Sequence, residues 1–207
     1  GGVATTLGTA NTLLVGNGAV PFATVGRVDW AAKDAANTKI VAGSDISGFY
    51  TPSTATTLSG NADVASGVDT TLAVAPITTS LRFNVPEART ITMNSGITLT
   101  PPGILITPNV GNNLTTITGG RIRGGSGNDL VIIQNNTANG LLINSQIINA
   151  GSLMALTKSG PGLVTLTAAN SYTGQNHLND RTLSISSNAN LGDPATGALV
   201  SFAGGTL

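Results

Sequence analysis

Nine carboxylates and one histidine carry most of the acid–base and metal-binding capacity of this 207-residue chain: Asp29, Asp34, Asp45, Asp63, Asp69, Glu87, Asp129, Asp180, Asp193 and His177. Glycoside hydrolysis needs two carboxylates flanking one bond, and polysaccharide elimination needs an acid beside a base in a cleft. The acids here stand singly along the chain and read as solvated turn residues. A Ser-His-Asp relay would have to use His177 with Asp180 or Asp193. No serine sits in the strained strand-to-helix turn that exposes a nucleophile, so His177 is expected as an outward-facing strand residue. With no Cys, disulfides, thiolate-held zinc and thiol catalysis are excluded. No catalytic residue, cofactor-binding residue or metal ligand is assigned, and the chain is read as a non-enzyme.

Two constellations remain. Residues 124–132, Gly-Gly-Ser-Gly-Asn-Asp-Leu-Val-Ile, fit the calcium nonapeptide G-G-x-G-x-D-x-U-x letter for letter. Such rolls hold calcium between successive copies through carboxylates and carbonyls. One copy with Arg121 and Arg123 just ahead of it reads instead as a glycine-rich turn whose Asp129 caps backbone N–H groups. Arg82, Arg89, Arg121 and Arg123 form a loose basic group, read as a solvated face or, less favourably, a glycan contact. Asn113 and Asn135 open Asn-x-Thr sequons.

Only 9% of the chain is charged, and nine bases balance nine acids. An ordinary soluble domain carries about 25% charged residues. Zero net charge without Lys/Arg clusters excludes nucleic acid as the main partner, and argues against an anionic membrane surface. No apolar run reaches the roughly 20 residues of a membrane helix. The chain opens on Gly1 with no basic segment ahead of an apolar one, so any signal sequence is expected to be already removed.

The elements that must hold these residues are strands. Apolar pieces of three to five residues recur at 81–83, 91–93, 97–99, 104–106, 114–117, 130–133, 141–143, 146–148, 153–156, 163–166, 183–185 and 199–202. Gly, Asn and Pro punctuate them, and helical periodicity is nearly absent. Strands this short and this glycine-flanked suit a parallel β-solenoid of about three strands per coil of roughly 20 to 25 residues better than a sandwich. Aliphatic residues at matched positions would stack into ladders, and the 30 Thr and 20 Asn would bond coil to coil. Residues 26–72 break the pattern. Residues 28–36 predict a short helix, and this stretch, with the only Trp (Trp30) and with Phe49 and Tyr50, predicts an irregular elaboration covering one side. Residues 3–25 predict one further coil.

Leu156, Lys158, Gly160, Gly162, Leu166, Asn170, Tyr172 and Gly174 fall on the pattern of the autotransporter-associated β-strand repeat, also called the passenger-associated transport repeat, which the segment 156–174 resembles. Downstream, Arg181 stands where that family has glycine, and Gln175-Asn176-His177 replaces a Thr-rich run. Residues 81–84, 103–111 and 129–136 resemble regions ahead of such repeats in large secreted bacterial proteins. Residues 190–193 with 204–207 resemble the start of a next repeat, so the parent chain is expected to continue. The resemblance covers roughly 80–207 and is strongest over 153–207. It implies a right-handed parallel β-helix displayed outside the cell, and no catalytic residue.

The resulting expectation is one all-β domain over 1–207, a right-handed parallel β-helix (β-solenoid) with an N-terminal non-repetitive elaboration at 26–72 and a repeat region at 153–207. Its expected role is a structural extracellular or cell-surface module: an adhesin or stalk segment, or a fibre subunit self-associating through solenoid ends, with glycans or a host or neighbouring cell surface as partners. The alternatives are a polysaccharide-degrading β-helix, which needs converging acids, and a glycan-binding module, which needs Trp30, Phe49 or Tyr50 exposed on one patch.

Overall fold

The structure is a computed structural model describing residues 10–16, 19–125, 129–151, 153–193, 195 and 199–207. The described residues contain β-strands and short 3-10 turns but no α-helix. One sheet runs β4 (Tyr50–Pro52), β5 (Ser59–Val64), β7 (Ile77–Phe83), β9 (Gly103–Ile106), β11 (Asp129–Gln134), β14 (Ala155–Ser159), β16 (Asn176–Leu178), β18 (Val200–Phe202), and every neighbouring pair is parallel. A second runs β6 (Thr70–Leu72), β8 (Arg89–Leu99), β10 (Thr115–Ile122), β12 (Leu141–Ile143), β15 (Val164–Leu166), β17 (Arg181–Ile185), β19 (Gly205–Thr206), again all parallel. The chain alternates between the two sheets, which makes a parallel β-solenoid of about 6 turns.

Register turns the aliphatic pieces into ladders. In the first sheet Ala62, Leu81, Ile104, Ile132, Lys158, Leu178 and Phe202 stand in line, at steps from 19 residues (62 to 81) to 28 (104 to 132). In the second, Ile91, Ile117, Ile143, Leu166 and Ile185 do the same. The long strands β8 and β10 bend round a corner, so Leu99 and Ile122 start a third face that β13 (Gln146–Ile147) joins. It continues without strand geometry, as Ser171 N donates to Ile147 O at 2.9 Å and Asp193 N to Tyr172 O at 2.9 Å. Three faces per coil agree with the spacing of the apolar pieces. Each fully buried Leu or Ile in these rows stabilises the stack by about 1.5–3 kcal/mol.

The two ends differ. At the N-terminal end, residues 53–58 fold over the second sheet: Thr71 N donates to Ala55 O, the Thr70 hydroxyl donates to Thr54 O, and Leu58 is buried in the main core. Pro52 supplies no N–H to the edge strand β4, which blunts it. At the other end Phe202, in line with Leu178, is half exposed.

Ahead of the solenoid lies a three-stranded antiparallel sheet, β1 (Thr24–Val25), β2 (Asp29–Lys33) and β3 (Ile40–Ala42). It packs on the outside of the first sheet. Leu13, Val20, Trp30, Ala32 and Phe49 meet Leu105, Val131 and Ile133, the outward residues of β9 and β11, which alternate with the inward Ile104 and Ile132. Gly103 is the docking point: a Cβ there would overlap the Pro21 ring and stand 2.9 Å from the Trp30 ring.

Three expectations are corrected here. The helix predicted at 28–36 is β2, because its Ala-rich sequence is buried along its whole length and tertiary packing overrides a weak helical propensity. The elaboration predicted to reach residue 72 is shorter, since 50–52, 59–64 and 70–72 are already solenoid strands. Residues 3–25 form no coil where they are described: Leu13 pairs antiparallel with Ala32 and Val15 with Pro21, inside the outer layer.

Candidate functional surface

The acids that sequence reading left scattered are partly brought together. Arg82, outward on β7, lies 3.1 Å from Asp29 and 2.6 Å from Asp63, with its Nε donating to Asp63 Oδ1 at 2.9 Å. Its guanidinium also donates to Val28 O at 3.1 Å and stacks 3.6 Å from the Tyr50 ring centre. The Tyr50 hydroxyl donates to Asp29 at 2.7 Å and accepts from Trp30 N–H at 3.0 Å. Burial works against the Arg82 charge, yet Asp63, Tyr50 and Asp29 together hold its pKa above the ordinary value. Burial likewise pushes the Tyr50 phenol well up. Asp29 also accepts from Ser44 N–H at 3.0 Å and from Ser44 Oγ at 2.7 Å, so both acids are engaged by donors within the fold. This cluster joins the outer layer to the solenoid.

Asp34, Asp69, Glu87 and Asp193 serve turns and corners. Glu87 contacts Ser66, Gly67 N–H and Arg89, and Arg89 reaches Asp69 at 3.4 Å. Asp34 accepts from Lys39 N–H and Thr38 N–H, which lowers its pKa. Asp193 accepts from Ala195 N–H at 2.9 Å. His177 stands on the outward face of β16, half-buried between Thr157 and Ser201 in register. Arg82 lies on the first sheet, while Arg89 and Arg121 belong to strands of the second. Of the nonapeptide, residues 126–128 lie outside the described residues; Asp129 opens β11. Among the described residues no group of three His, Asp or Glu side chains is placed to hold a metal. Asn113 donates to Val110 O, and Asn135, buried, donates to Arg27 O in the outer layer.

The repeat-like residues all receive packing roles. Leu156 and Leu166 are buried in the core. Lys158, fully buried, occupies a rung between Ile132 and Leu178, and its ammonium donates at 2.5 Å to both Gly160 O and Asp180 O. It thus bonds its own coil to the next. Burial pushes its pKa down to about 8. Gly160 adopts φ +80°, and a Cβ on Gly162 or Gly174 would overlap the Asn136 or Met154 carbonyl of the preceding coil. Asn170 accepts from Ile147 N–H at 2.7 Å and donates to Asn190 O at 2.6 Å, spanning three coils. The Tyr172 hydroxyl donates to Asn176 at 2.5 Å. Sequence reading missed that Lys158 points inward. The signal was present: it is the one Lys, Arg, Asp or Glu between residues 130 and 179.

The aromatic patch expected for glycan binding is not formed. Trp30 and Phe49 are buried, and Tyr50 is held by Asp29 and Arg82. A different concavity, of about 370 Å³, opens where the outer layer ends, lined by Gly16, Val20 and Phe22 on one side and by Asp129, Val131, Ile133, Thr157, Ser159 and Asn179 on the other. Phe22 is 52% exposed at its rim.

No family model and no solved structure matches the chain. Over 113 residues, 54% of the chain, it is 34% identical to the adhesin BmaC autotransporter of Brucella suis biovar 1 (strain 1330). The chain spans 3% of that protein's length. A homologue that is an autotransporter adhesin and a β-solenoid fold are consistent with a passenger-type β-helical segment.

Proposed function

We propose that this chain is a segment of a surface-displayed bacterial β-solenoid and serves as an adhesin or its stalk, outside the cell. The observation that carries the reading is the unbroken parallel stack from β4 to β18, with aliphatic rows inside and amide and hydroxyl bonds between coils. Such a stack turns a sequence into a rod, whose coils each need only their neighbours. Likeness to an autotransporter adhesin supports the same role and a non-enzymatic one. No helix among the described residues is long and apolar enough to cross a membrane. The test has two parts. On intact cells making the parent protein, an antibody to this chain should bind, and added protease should remove the epitope. Beads coated with the chain should be retained on host or bacterial cell layers above beads coated with the unfolded chain. An epitope reached only after lysis overturns the reading, and equal retention overturns the adhesive role and leaves the stalk.

A further inference from the structure

We propose that the groove at the edge of the outer layer binds a neutral oligosaccharide. The inference deepens the adhesin reading by naming a ligand class, and it rests on that reading only for its biological setting.

The outward rows of the first sheet change chemistry where the outer layer stops. One row reads Val131, Thr157, His177, Ser201; the next reads Leu105, Ile133, Ser159. The apolar members lie under the layer or at its margin, and the hydroxyl and imidazole members continue past it. Parallel rungs about 4.8 Å apart therefore present Thr157, Ser159 and His177 as a graded strip. Asn179 extends the strip and donates to Ser159 Oγ at 3.2 Å. Each of these groups can donate and accept, which is what vicinal hydroxyls of a sugar require.

Along one side of the strip stands Phe22, half exposed, beside Gly16, where an added Cβ would sit 3.4 Å from the ring. A glycine there places no side chain against that edge of the ring. An exposed phenyl wall beside neutral donors suits a ligand with an apolar face and a hydroxylated edge. Charge points the same way. Among the described lining residues Asp129 is the one that carries charge, and Lys158, on the same strand as Thr157, points into the core. Phosphate, sulfate or uronate groups would find no exposed cation among the lining residues.

The experiment uses the whole chain with cello-, malto- and N-acetylglucosamine oligosaccharides as neutral probes and oligogalacturonate as the charged one. Saturation-transfer NMR finds the bound sugar and titration calorimetry gives its affinity. At least one neutral probe should bind, Phe22→Ala should weaken it by about tenfold or more, and Phe22→Trp should restore it. Asn179→Ala should weaken it by a few-fold, with circular dichroism unchanged in all three variants. Binding of oligogalacturonate alone, binding untouched by Phe22→Ala, no binding of any neutral probe, or a Phe22-dependent dimer in sedimentation each overturns the assignment. Surface display is read by protease on intact cells, so failure of the sugar site leaves that result standing on its own.

Discussion

The outer layer and the repeat region at 153–191 solve the same problem, holding β-structure together in a chain poor in charge, by opposite means. The layer concentrates what the chain has of rings and ion pairs: Trp30, Phe49, Tyr50, Asp29 and, from the solenoid, Arg82. It rests on one apolar patch and one buried ionic cluster. The repeat region uses close backbone approach and buried amides that recur from coil to coil, with a single buried lysine bridging two of them. A layer docked at a few points should detach as a unit, whereas a stack in which every coil templates the next should fail along its length.

The largest effect is expected from Gly162→Ala. Its methyl would overlap the Asn136 carbonyl and lie 2.6 Å from Gln134 Cγ, both in the preceding coil. Backbone cannot yield there without parting two rungs, so about 3 kcal/mol or more of stability should be lost. The urea midpoint should fall for probes in both sheets. A midpoint within experimental scatter of the parent would show that the stack tolerates separation. Arg82→Ala comes next, at about 3 kcal/mol, because Asp29 is left buried without its partner. Here the loss should be local: amide exchange should accelerate at 24–42 while 141–185 keep their protection. Uniform acceleration would mean that the layer and the stack are one cooperative unit.

Tyr172→Phe should cost about 1–2 kcal/mol, since it strips the buried Asn176 carbonyl oxygen of its donor. Asn176 also donates to Leu191 O at 3.0 Å, so exchange at 188–193 should rise first. The smallest effect is on pH dependence. Lys158 in the fold titrates at about 8, below its ordinary value of 10.5, through burial. Between those values the unfolded chain binds more protons, so stability should rise with pH from about 8 towards 10. Above pH 10 the buried tyrosines act in reverse, because burial raises the pKa of Tyr50 and Tyr172 and stability is lost as the unfolded phenols ionise. Lys158→Met should flatten the rise between pH 8 and 9.5. An unchanged slope would assign it elsewhere.

The solenoid was readable because parallel stacking imposes its demands locally. Short β-branched pieces such as 104–106 and 130–133 alternate inward residues, and turn residues recur at coil corners. The eight repeat-like positions were visible for the same reason: Gly162 and Gly174 are required by a neighbour one coil away, and every coil has such a neighbour. The outer layer was not readable. Residues 28–36 look helical because Ala and Lys favour a helix in isolation, and nothing local announces that Gly103 lies beneath Trp30. The groove was invisible too, since Phe22, Thr157 and Asn179 are far apart in the chain and an exposed Phe carries no sequence signature.

Sequence alone determined the architecture and the scarcity of acid–base chemistry. Repeat spacing, composition and turn chemistry act over about one coil, and one coil is enough to specify the next. Tertiary structure decided which of the few charged and aromatic residues meet. It buried Trp30, set Asp29 against Arg82 and left Phe22 at a rim. Those outcomes depend on a layer docking across coils more than 50 residues away in sequence, as in the Arg82 bond to Val28, and no local pattern encodes a contact of that range.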